Sequence, residues 1–245
     1  MLVWRDVSVR YKQTALGVAW ALLQPLLTML IFTVFFGRFA GLESRTGGVP
    51  YPLYVLAGLL PWSFFSASIT NAASSLVTSA SLVSKVYFPR LLVPFACVGT
   101  ALVDLAVSLF LLLALMAWYD VGPTLQVLVA PLALFGALLC ASGVGAFLSA
   151  LAVTYRDVRY AVPFVVQIWM FVTPVIYPAS VVPERFRALL WLNPMAGVLE
   201  GFRGALLGLP LDLTLLGGSL VACVLLFLAG SAYFESVERR FADVL

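Results

Sequence analysis

Six stretches of the sequence are long and apolar enough to cross a lipid bilayer as helices. A spanning helix needs about 20 apolar residues, because the hydrocarbon core is about 30 Å thick. The mean hydropathy is +1.07, and only 10% of the residues are charged, against about 25% in soluble domains. We therefore predict an all-α integral membrane protein with six transmembrane helices: Gly17–Phe36, Leu53–Ser75, Val93–Trp118, Gln126–Ala152, Ala161–Tyr177 and Leu213–Phe234.

Prolines make the second and fifth of these spans the least regular. Pro61 and Asn71 interrupt the second span, and Pro163 and Pro174 lie near the two ends of the fifth. We keep both as spans, since neighbouring helices in a membrane satisfy the backbone groups that a proline leaves free. The first stretch is too long for the core of a signal peptide, so we expect an uncleaved span.

The Lys and Arg residues predict the orientation. Nine of the 14 lie in the N-terminal segment, the loops after the second and fourth spans, and the C-terminal tail. The other five lie on the opposite side of the predicted membrane. Cytoplasmic loops carry the excess of positive charge, so we expect both termini in the cytoplasm.

Several kinds of chemistry are missing from the sequence. It has no His, which removes the usual general base and a common metal ligand. Cys97, Cys140 and Cys223 lie singly in apolar stretches, without the spacing of a metal site. Neither of the two Lys lies in a G-x-x-x-x-G-K-[ST] motif, so no P-loop binds ATP on this chain. We therefore predict no catalytic residue, no metal and no cofactor here. The small net charge of +3 argues against nucleic acid as a partner.

Two features inside the spans leave alternatives open. Asp104 is the only acid deep in a span. It forms either a hydrogen-bonded contact between helices or a functional group, because ionisable residues at that depth are costly. Gly143 and Gly145 indicate close packing of helices rather than a dinucleotide loop, since no strand precedes them.

The N-terminal segment, residues 2–16, has the pattern of a helix that lies in the membrane interface. One face of the predicted helix is apolar and the other carries cations and polar groups. The aromatic rings would lie at headgroup depth and the cations near lipid phosphates. The alternative is a basic flank that only orients the first span. The candidate residues for contact with lipid are Trp4, Arg5, Arg10, Tyr11 and Lys12.

Between the fifth and sixth spans, the sequence predicts a re-entrant helical hairpin at residues 183–208 on the outer side. The segments Pro183–Leu192 and Pro194–Leu207 are each too short to cross a bilayer. Asn193 before Pro194 is typical of a helix start, and Gly208 is typical of a helix end. The hairpin is either a lid at the outer mouth of a pore or an interfacial loop that packs.

The second helix of this hairpin has two further features. Glu200 and Arg203 are three residues apart, so they can form an ion pair. A row of glycines on one face allows another helix to approach closely. These glycines are Gly197, Gly201, Gly204 and Gly208.

Aromatic residues follow the first and fifth spans. On a regular helix, four Phe of span one share an arc of about 100°, and two aromatic residues share a stripe on span five. Flat apolar rings suit sliding sugar faces, so one interpretation is a pore lining. The alternatives are an interfacial aromatic belt or ordinary core. The residues are Phe32, Phe35, Phe36, Phe39, Trp169 and Tyr177.

Five motifs resemble those of a known family, the type-2 permeases of ABC exporters. The resemblance runs nearly from end to end and is closest to the polysaccharide and O-antigen exporters, the Wzm-like permeases. Members of that family usually have more residues before the position of Trp4, so we expect the interface helix to be incomplete at its start. The motifs are WRDVSVRYKQTALGVAWALLQPLL (Trp4–Leu27), GLLPWSFF (Gly58–Phe65), KVYFPRLLVP (Lys85–Pro94), TYRDVRYAVPFVVQIWMFVTPVIYP (Thr154–Pro178) and NPMAGVLEGFRGALLG (Asn193–Gly208).

The resemblance implies a homodimer of permeases with two copies of a separate P-loop ATPase, which holds ATP and Mg. It implies export of an O-antigen or similar glycan, carried on a polyprenyl diphosphate lipid, across the bacterial inner membrane. Spans one and five would line the pore, and Arg5, Arg10 and Lys12 would receive the diphosphate. Alternative substrates are a teichoic acid, a drug, a haem precursor or a small lipid. A carrier or membrane enzyme unrelated to ABC transporters is a further alternative.

The resemblance also gives the two cytoplasmic loops a role in docking to the ATPase. The alternative for both loops is that their charges only fix the topology. We expect one transmembrane domain, residues 1–245, with spans one to five within 17–178, the sixth at 213–234 and a cytoplasmic tail at 235–245. The docking candidates are Lys85, Val86, Tyr87, Phe88, Pro89, Arg90, Tyr155, Arg156, Asp157 and Arg159.

Overall fold

The computed structural model describes Val3, residues 19–80, residues 88–238 and Phe241. These residues form helices joined by short connections, and the described part contains no strand. The predicted interface helix falls outside the described residues except for Val3, whose side chain lies against Gly99. Within the described ranges there are eight α-helices: α1 (Ala19–Phe32), α2 (Tyr51–Thr78), α3 (Leu92–Trp118), α4 (Ala130–Thr154), α5 (Val158–Val172), α6 (Arg187–Leu192), α7 (Pro194–Leu207) and α8 (Leu213–Glu238).

Five helical segments of the described chain are long and apolar enough to cross a membrane. Two of them include a neighbouring turn: α1 continues as a π-helix over Thr33–Phe39, and a 3-10 helix, Leu125–Val129, precedes α4. The second predicted span is confirmed as one helix, since α2 runs through Pro61 and Asn71 without a break. The prediction of an all-α membrane protein is confirmed.

The fifth predicted span is shorter than expected. Helix α5 ends at Val172 and not at Tyr177, so it has 15 residues and is about 22 Å long at the usual helical rise. Pro174 explains the end of the helix, since a residue before proline avoids the helical conformation. Thr173 is accordingly extended, with φ −89° and ψ 140°.

Helix α2 lies at the centre of the bundle. It buries 19 of its 28 residues and contacts α1, α3, α4, α5 and α7. Helices α1 and α5 lie at the periphery, with only two buried residues each. We refer to the end of the bundle with α6 and α7 as the hairpin end, and to the end with Phe88, Tyr155 and Glu238 as the loop end.

Small residues bring α4 and α8 into backbone contact. A Cβ atom on Gly143 would collide with the backbone of Leu226 and Phe227, and one on Gly230 would collide with the backbone of Gly143. A Cβ on Gly145 would lie 3.0 Å from Ala72 of α2. The prediction that these glycines serve helix packing is confirmed, as expected for small residues at helix contacts in membranes.

A small apolar cluster closes the loop end of the bundle. Its buried members come from α2, α3, α4 and α8 and from Phe241, and Phe234 and Phe241 pack edge to face at 5.4 Å. Helix α8 continues to Glu238, four residues beyond the predicted end of the sixth span. The loop-end cluster comprises Leu76, Val93, Ala146, Ala150, Val153, Phe234 and Phe241.

Candidate functional site

The hairpin end is built around a helix that is buried on nearly every side. Helix α7 has 14 residues, and 13 of them are buried. Its predicted bounds are confirmed: the side chain of Asn193 accepts a hydrogen bond from the backbone N–H of Met195 at 3.1 Å, and Gly208 ends the helix with φ +68°. The preceding helix begins at Arg187 rather than Pro183, because Glu184–Phe186 form a 3-10 turn.

Asn193 also connects the hairpin to α5. Its amide donates to the hydroxyl of Thr173 at 2.8 Å, and its carbonyl oxygen accepts from Trp169 Nε1 at 3.2 Å. The Trp169 ring packs edge to face on Trp62 and Phe65 of α2. Trp169 therefore belongs to the contact between α2, α5 and the hairpin, rather than lying free on the surface of span five.

Arg203 is the most buried charged side chain of the hairpin end. Its relative exposure is 0%, and its guanidinium donates to the carboxylate of Glu200 at 2.9 Å, which confirms the predicted pair. It also donates to the hydroxyl and the carbonyl oxygen of Tyr54, at 2.8 and 3.1 Å. The guanidinium lies 3.9 Å from the centroid of the Tyr54 ring, a cation–π contact.

The remaining donors of Arg203 reach the segment that follows α5. Nη2 donates to the carbonyl oxygens of Pro174 and Val175, at 3.1 and 2.7 Å. These carbonyls lie beyond the end of α5, so they have no partner in a continuing helix. Gly58 makes room for the arrangement, because a Cβ there would collide with Nη2. Arg203 thus joins α2, α7 and the broken end of α5.

Two of the four predicted glycines, Gly197 and Gly201, pack against α8 within the same chain. The backbone N–H of Gly197 donates to the Ser219 hydroxyl at 3.0 Å. A Cβ on Gly197 would collide with the backbone of Leu215, and one on Gly201 would lie 2.9 Å from the Leu216 side chain. These two glycines therefore fix the hairpin to the last span, as small residues do at close helix contacts, whereas Gly204 and Gly208 face residues outside α8.

The four Phe of span one do not share one face. Phe32 and Phe36 form one edge-to-face pair, at 5.7 Å, and pack on the core. Phe35 and Phe39 form a second pair, at 5.9 Å, and are exposed. The π-helix at Thr33–Phe39 explains the split, because its turn is wider than the regular turn that the prediction assumed.

The wide turn lies where α1 meets the start of α2. A Cβ on Gly37 would lie 2.8 Å from the Tyr51 ring, and the Tyr51 hydroxyl donates to the carbonyl oxygen of Ile176 at 2.7 Å. Tyr177 in turn donates to the carbonyl oxygens of Phe171 and Val172 at the end of α5. Tyr177, a predicted pore residue, therefore hydrogen-bonds to the C-terminal end of α5.

At the loop end, the structure gives part of the first predicted docking loop. Lys85, Val86 and Tyr87 lie outside the described residues. Phe88 is half-buried and packs on the loop-end cluster, and Pro89 is exposed. Phe88 therefore holds the loop against the protein's own bundle.

Arg90 of the same loop contacts the end of α8. Its Nη1 donates to the backbone carbonyl of Glu238 at 2.6 Å, and its backbone N–H donates to the Glu238 carboxylate at 3.3 Å. A cation at the C-terminus of a helix interacts favourably with the helix dipole. Arg90 thus joins the first loop to the last span.

The second predicted docking loop lies on the surface. Tyr155, Arg156 and Asp157 are exposed, with Tyr155 at 61%. Arg159 is half-buried beside the Tyr160 ring, and its Nε has no hydrogen-bond partner among the described residues. The described ranges also contain no group of three or more His, Cys, Asp or Glu that could hold a metal ion.

Comparison with known proteins finds a matching family model and several similar export or transport proteins. A model of the family described as ABC-2 type transporter matches residues 1–207. The O-antigen export system permease protein RfbA of Myxococcus xanthus is 34% identical over 246 residues, covering 99% of this chain and 93% of the relative. A Klebsiella pneumoniae protein of the same name is 26% identical, covering 98% and 92%. The polysialic acid transport protein KpsM of Escherichia coli is 24% identical, covering 84% and 80%.

Proposed function

Because this chain belongs to the ABC-2 type transporter family, we propose that it is a permease that exports a surface polysaccharide across a bacterial inner membrane. The observation that carries the proposal is the 34% identity, over 99% of the chain, to a permease named for O-antigen export. The KpsM relative is named for transport of polysialic acid, another carbohydrate polymer. We therefore assign a surface polysaccharide, such as an O-antigen, as the substrate.

The arrangement of α1 and α5 supports a pathway between two copies of the chain. Both helices lie on α2 at the periphery, and their outward faces are mostly apolar and uncovered. Tyr160, Phe164 and Ile168 of α5, for example, are 78%, 64% and 50% exposed. A hydroxyl-rich polymer needs a route shielded from lipid, since unpaired polar groups are costly in hydrocarbon. In the proposed homodimer, α1 and α5 of the two copies enclose this route.

The energy for export comes, in this proposal, from two copies of a separate ATPase, because the sequence has no P-loop. The exposed loop at Tyr155, Arg156 and Asp157 and the first loop at Tyr87 form the docking surface. Aromatic residues at the centre of a small interface usually supply most of its binding energy. Phe88 and Arg90 play a different part: they hold the first loop to the bundle and to α8, so that a movement of the loop moves the last span.

The proposed orientation puts the loop end in the cytoplasm and the hairpin end outside. This follows from the excess of Lys and Arg in the N-terminal segment and in the loops of that end. The cations Arg5, Arg10 and Lys12 would then meet the diphosphate of a polyprenyl-linked glycan at the cytoplasmic surface. The buried hairpin would close the outer end of the pathway.

A deletion experiment in a bacterium that makes the glycan tests the proposal. Removing the gene should abolish the glycan from the cell surface and cause lipid-linked glycan to accumulate inside, and the gene on a plasmid should reverse both effects. The measurements are surface labelling of the glycan and its extraction from the inner membrane. Normal surface glycan in the deletion strain would contradict the proposal, and so would loss of glycan synthesis without internal accumulation.

A further inference from the structure

A small cavity at the hairpin end opens beside the first turn of the last span. Its volume is about 210 Å³, and it lies between the 3-10 turn Ala179–Val181, α6 and the start of α8. It is smaller than the roughly 300–1,000 Å³ of a site that encloses a whole small molecule. The cavity therefore suits the polar end of a larger molecule whose remaining part lies outside it.

Two opposite charges line this cavity without neutralising each other. Arg187 of α6 and Asp212, which precedes α8, both belong to the lining. Within the described part of the chain, the ion pair of Arg187 is with Glu184 and not with Asp212. That pair is 3.8 Å long and exposed to water, which is longer than a hydrogen bond. The guanidinium donors of Arg187 are therefore available to an anionic group in the cavity.

The carboxylate of Asp212 has one oxygen that the protein uses and one that it does not. Oδ1 accepts hydrogen bonds from the backbone N–H groups of Thr214 and Leu215, at 3.1 and 2.9 Å, and so caps the start of α8. The cap also occupies two of the N–H groups that would attract an anion to this helix start. Oδ2 accepts no hydrogen bond from any described residue, so it can accept one from a cationic donor.

An apolar surface leads from the cavity along the last span. The Trp191 ring lines the cavity and lies against α8, because a Cβ on Gly218 would be 3.1 Å from it. Residues three or four apart lie on the same face of a helix, and Val221, Leu225 and Leu228 continue this face with exposed side chains. Since α8 is long and apolar enough to span the membrane, this face can carry the acyl chain of a lipid.

We propose that this cavity binds the head group of a zwitterionic phospholipid, phosphatidylethanolamine, with its phosphate at Arg187 and its ammonium group at Asp212. The acyl chains then lie along α8. An anionic lipid, or the diphosphate of a glycan carrier, has no cation for Asp212 and is repelled by its charge. The site is separate from the proposed export route at α1 and α5, so it does not depend on the exported substrate.

Competition between two lipids tests the site. The chain, purified and delipidated in detergent, is mixed with equal amounts of phosphatidylethanolamine and phosphatidylglycerol that have the same acyl chains. Mass spectrometry of the intact protein then gives the ratio of the two single-lipid complexes. We expect phosphatidylethanolamine to be bound about fivefold more often, a preference that one charge-assisted hydrogen bond can supply.

Two variants remove the two charges separately. Asp212→Asn keeps the helix cap, since Asn caps about as well as Asp, and should bring the ratio of the two lipids close to one. Arg187→Gln should lower the binding of both lipids about fivefold, because both have a phosphate. The controls are Glu43→Gln and Arg185→Gln, which change exposed charges outside the cavity and should bind lipid like the unmodified chain.

Several results would overturn the inference. Equal binding of the two lipids by the unmodified chain is one, and a preference for phosphatidylglycerol, which indicates an anionic-lipid site, is another. An unchanged ratio in Asp212→Asn, or the same changes in the control variants, would show that the preference does not come from this cavity. Without added lipid, all four variants should unfold at the temperature of the unmodified chain, so that a lost preference reports the site and not misfolding.

Discussion

Replacing Arg203 with Met should destabilise the hairpin end strongly, because Met keeps much of the side-chain length and removes every donor. In the structure the guanidinium makes hydrogen bonds to the Glu200 carboxylate, the Tyr54 hydroxyl and three backbone carbonyls. The carbonyls of Pro174 and Val175 lie in a buried segment, where water cannot take the place of the lost donors.

The size of the effect follows from these contacts. Each buried acceptor left without a donor costs about 1–3 kcal/mol, and removing one partner of a buried ion pair costs about 3–5 kcal/mol in all. Because the carboxylate of Glu200 is still 25% exposed, it recovers part of its hydration. We therefore expect a loss of about 3–5 kcal/mol, which corresponds to a fall in Tm of roughly 6–20 °C for a chain of this size.

Thermal unfolding of the purified protein in detergent measures this effect. The matched control is Arg187→Met on α6, because Arg187 and its partner Glu184 are 53% and 89% exposed and 3.8 Å apart. An exposed pair contributes about 0–1 kcal/mol, so the control should unfold close to the unmodified protein. A Tm for Arg203→Met equal to that of the control would refute the reasoning that Arg203 holds the three elements together.

Three further predictions test the packing, the orientation and the docking of the ATPase. Gly197→Ala should destabilise the protein by about 1–3 kcal/mol, since the added Cβ would collide with the backbone of α8. The control Gly217→Ala places its Cβ in open space and should leave the stability unchanged, so equal Tm values for the two variants would contradict the close contact between α7 and α8. A cysteine at Ser44 should react with impermeant thiol reagents outside the cell and one at Ser236 should not, and the reverse pattern would contradict the orientation. Tyr87→Ala should weaken ATPase binding by about 2 kcal/mol and reduce its co-purification, so an unchanged yield of ATPase would show that Tyr87 is not the anchor.

The local features of the hairpin were predictable from the sequence because they depend on neighbouring residues. Asn193 before Pro194 predicts the start of α7, and Gly208 predicts its end. The three-residue spacing of Glu200 and Arg203 predicts their ion pair. These signals act over one or two helical turns, so no knowledge of the tertiary structure is needed to interpret them.

The partners that lie far away in the sequence could not be predicted in this way. Tyr54 is 149 residues from Arg203, and no local pattern marks the pair. The carbonyls of Pro174 and Val175 become available only because α5 stops at Val172. Its end was predicted at Tyr177 because hydrophobicity alone defined the span, although Pro174 carried the signal for an earlier end.

The aromatic residues of span one show the limit of a periodic pattern. The Phe residues share an arc only on a regular helix, and the π-helix at Thr33–Phe39 separates them into a core pair and an exposed pair. Phe88, a docking residue implied by the resemblance, packs on the loop-end cluster, and its contact with an ATPase stays a prediction. The packing of Phe88 depends on residues from other helices, which no local pattern includes.

In the function that we propose, this chain carries a polysaccharide across the membrane with energy from a separate ATPase. The most direct measurement uses vesicles that contain the purified chain, its ATPase and a lipid-linked glycan in the leaflet that faces the ATPase. A membrane-impermeant glycan-cleaving enzyme, enclosed in the vesicles, reports glycan that reaches the far leaflet. We predict cleavage only when ATP and both proteins are present. Cleavage that is the same without ATP or without this chain would contradict the claim, and so would its absence while the complex hydrolyses ATP.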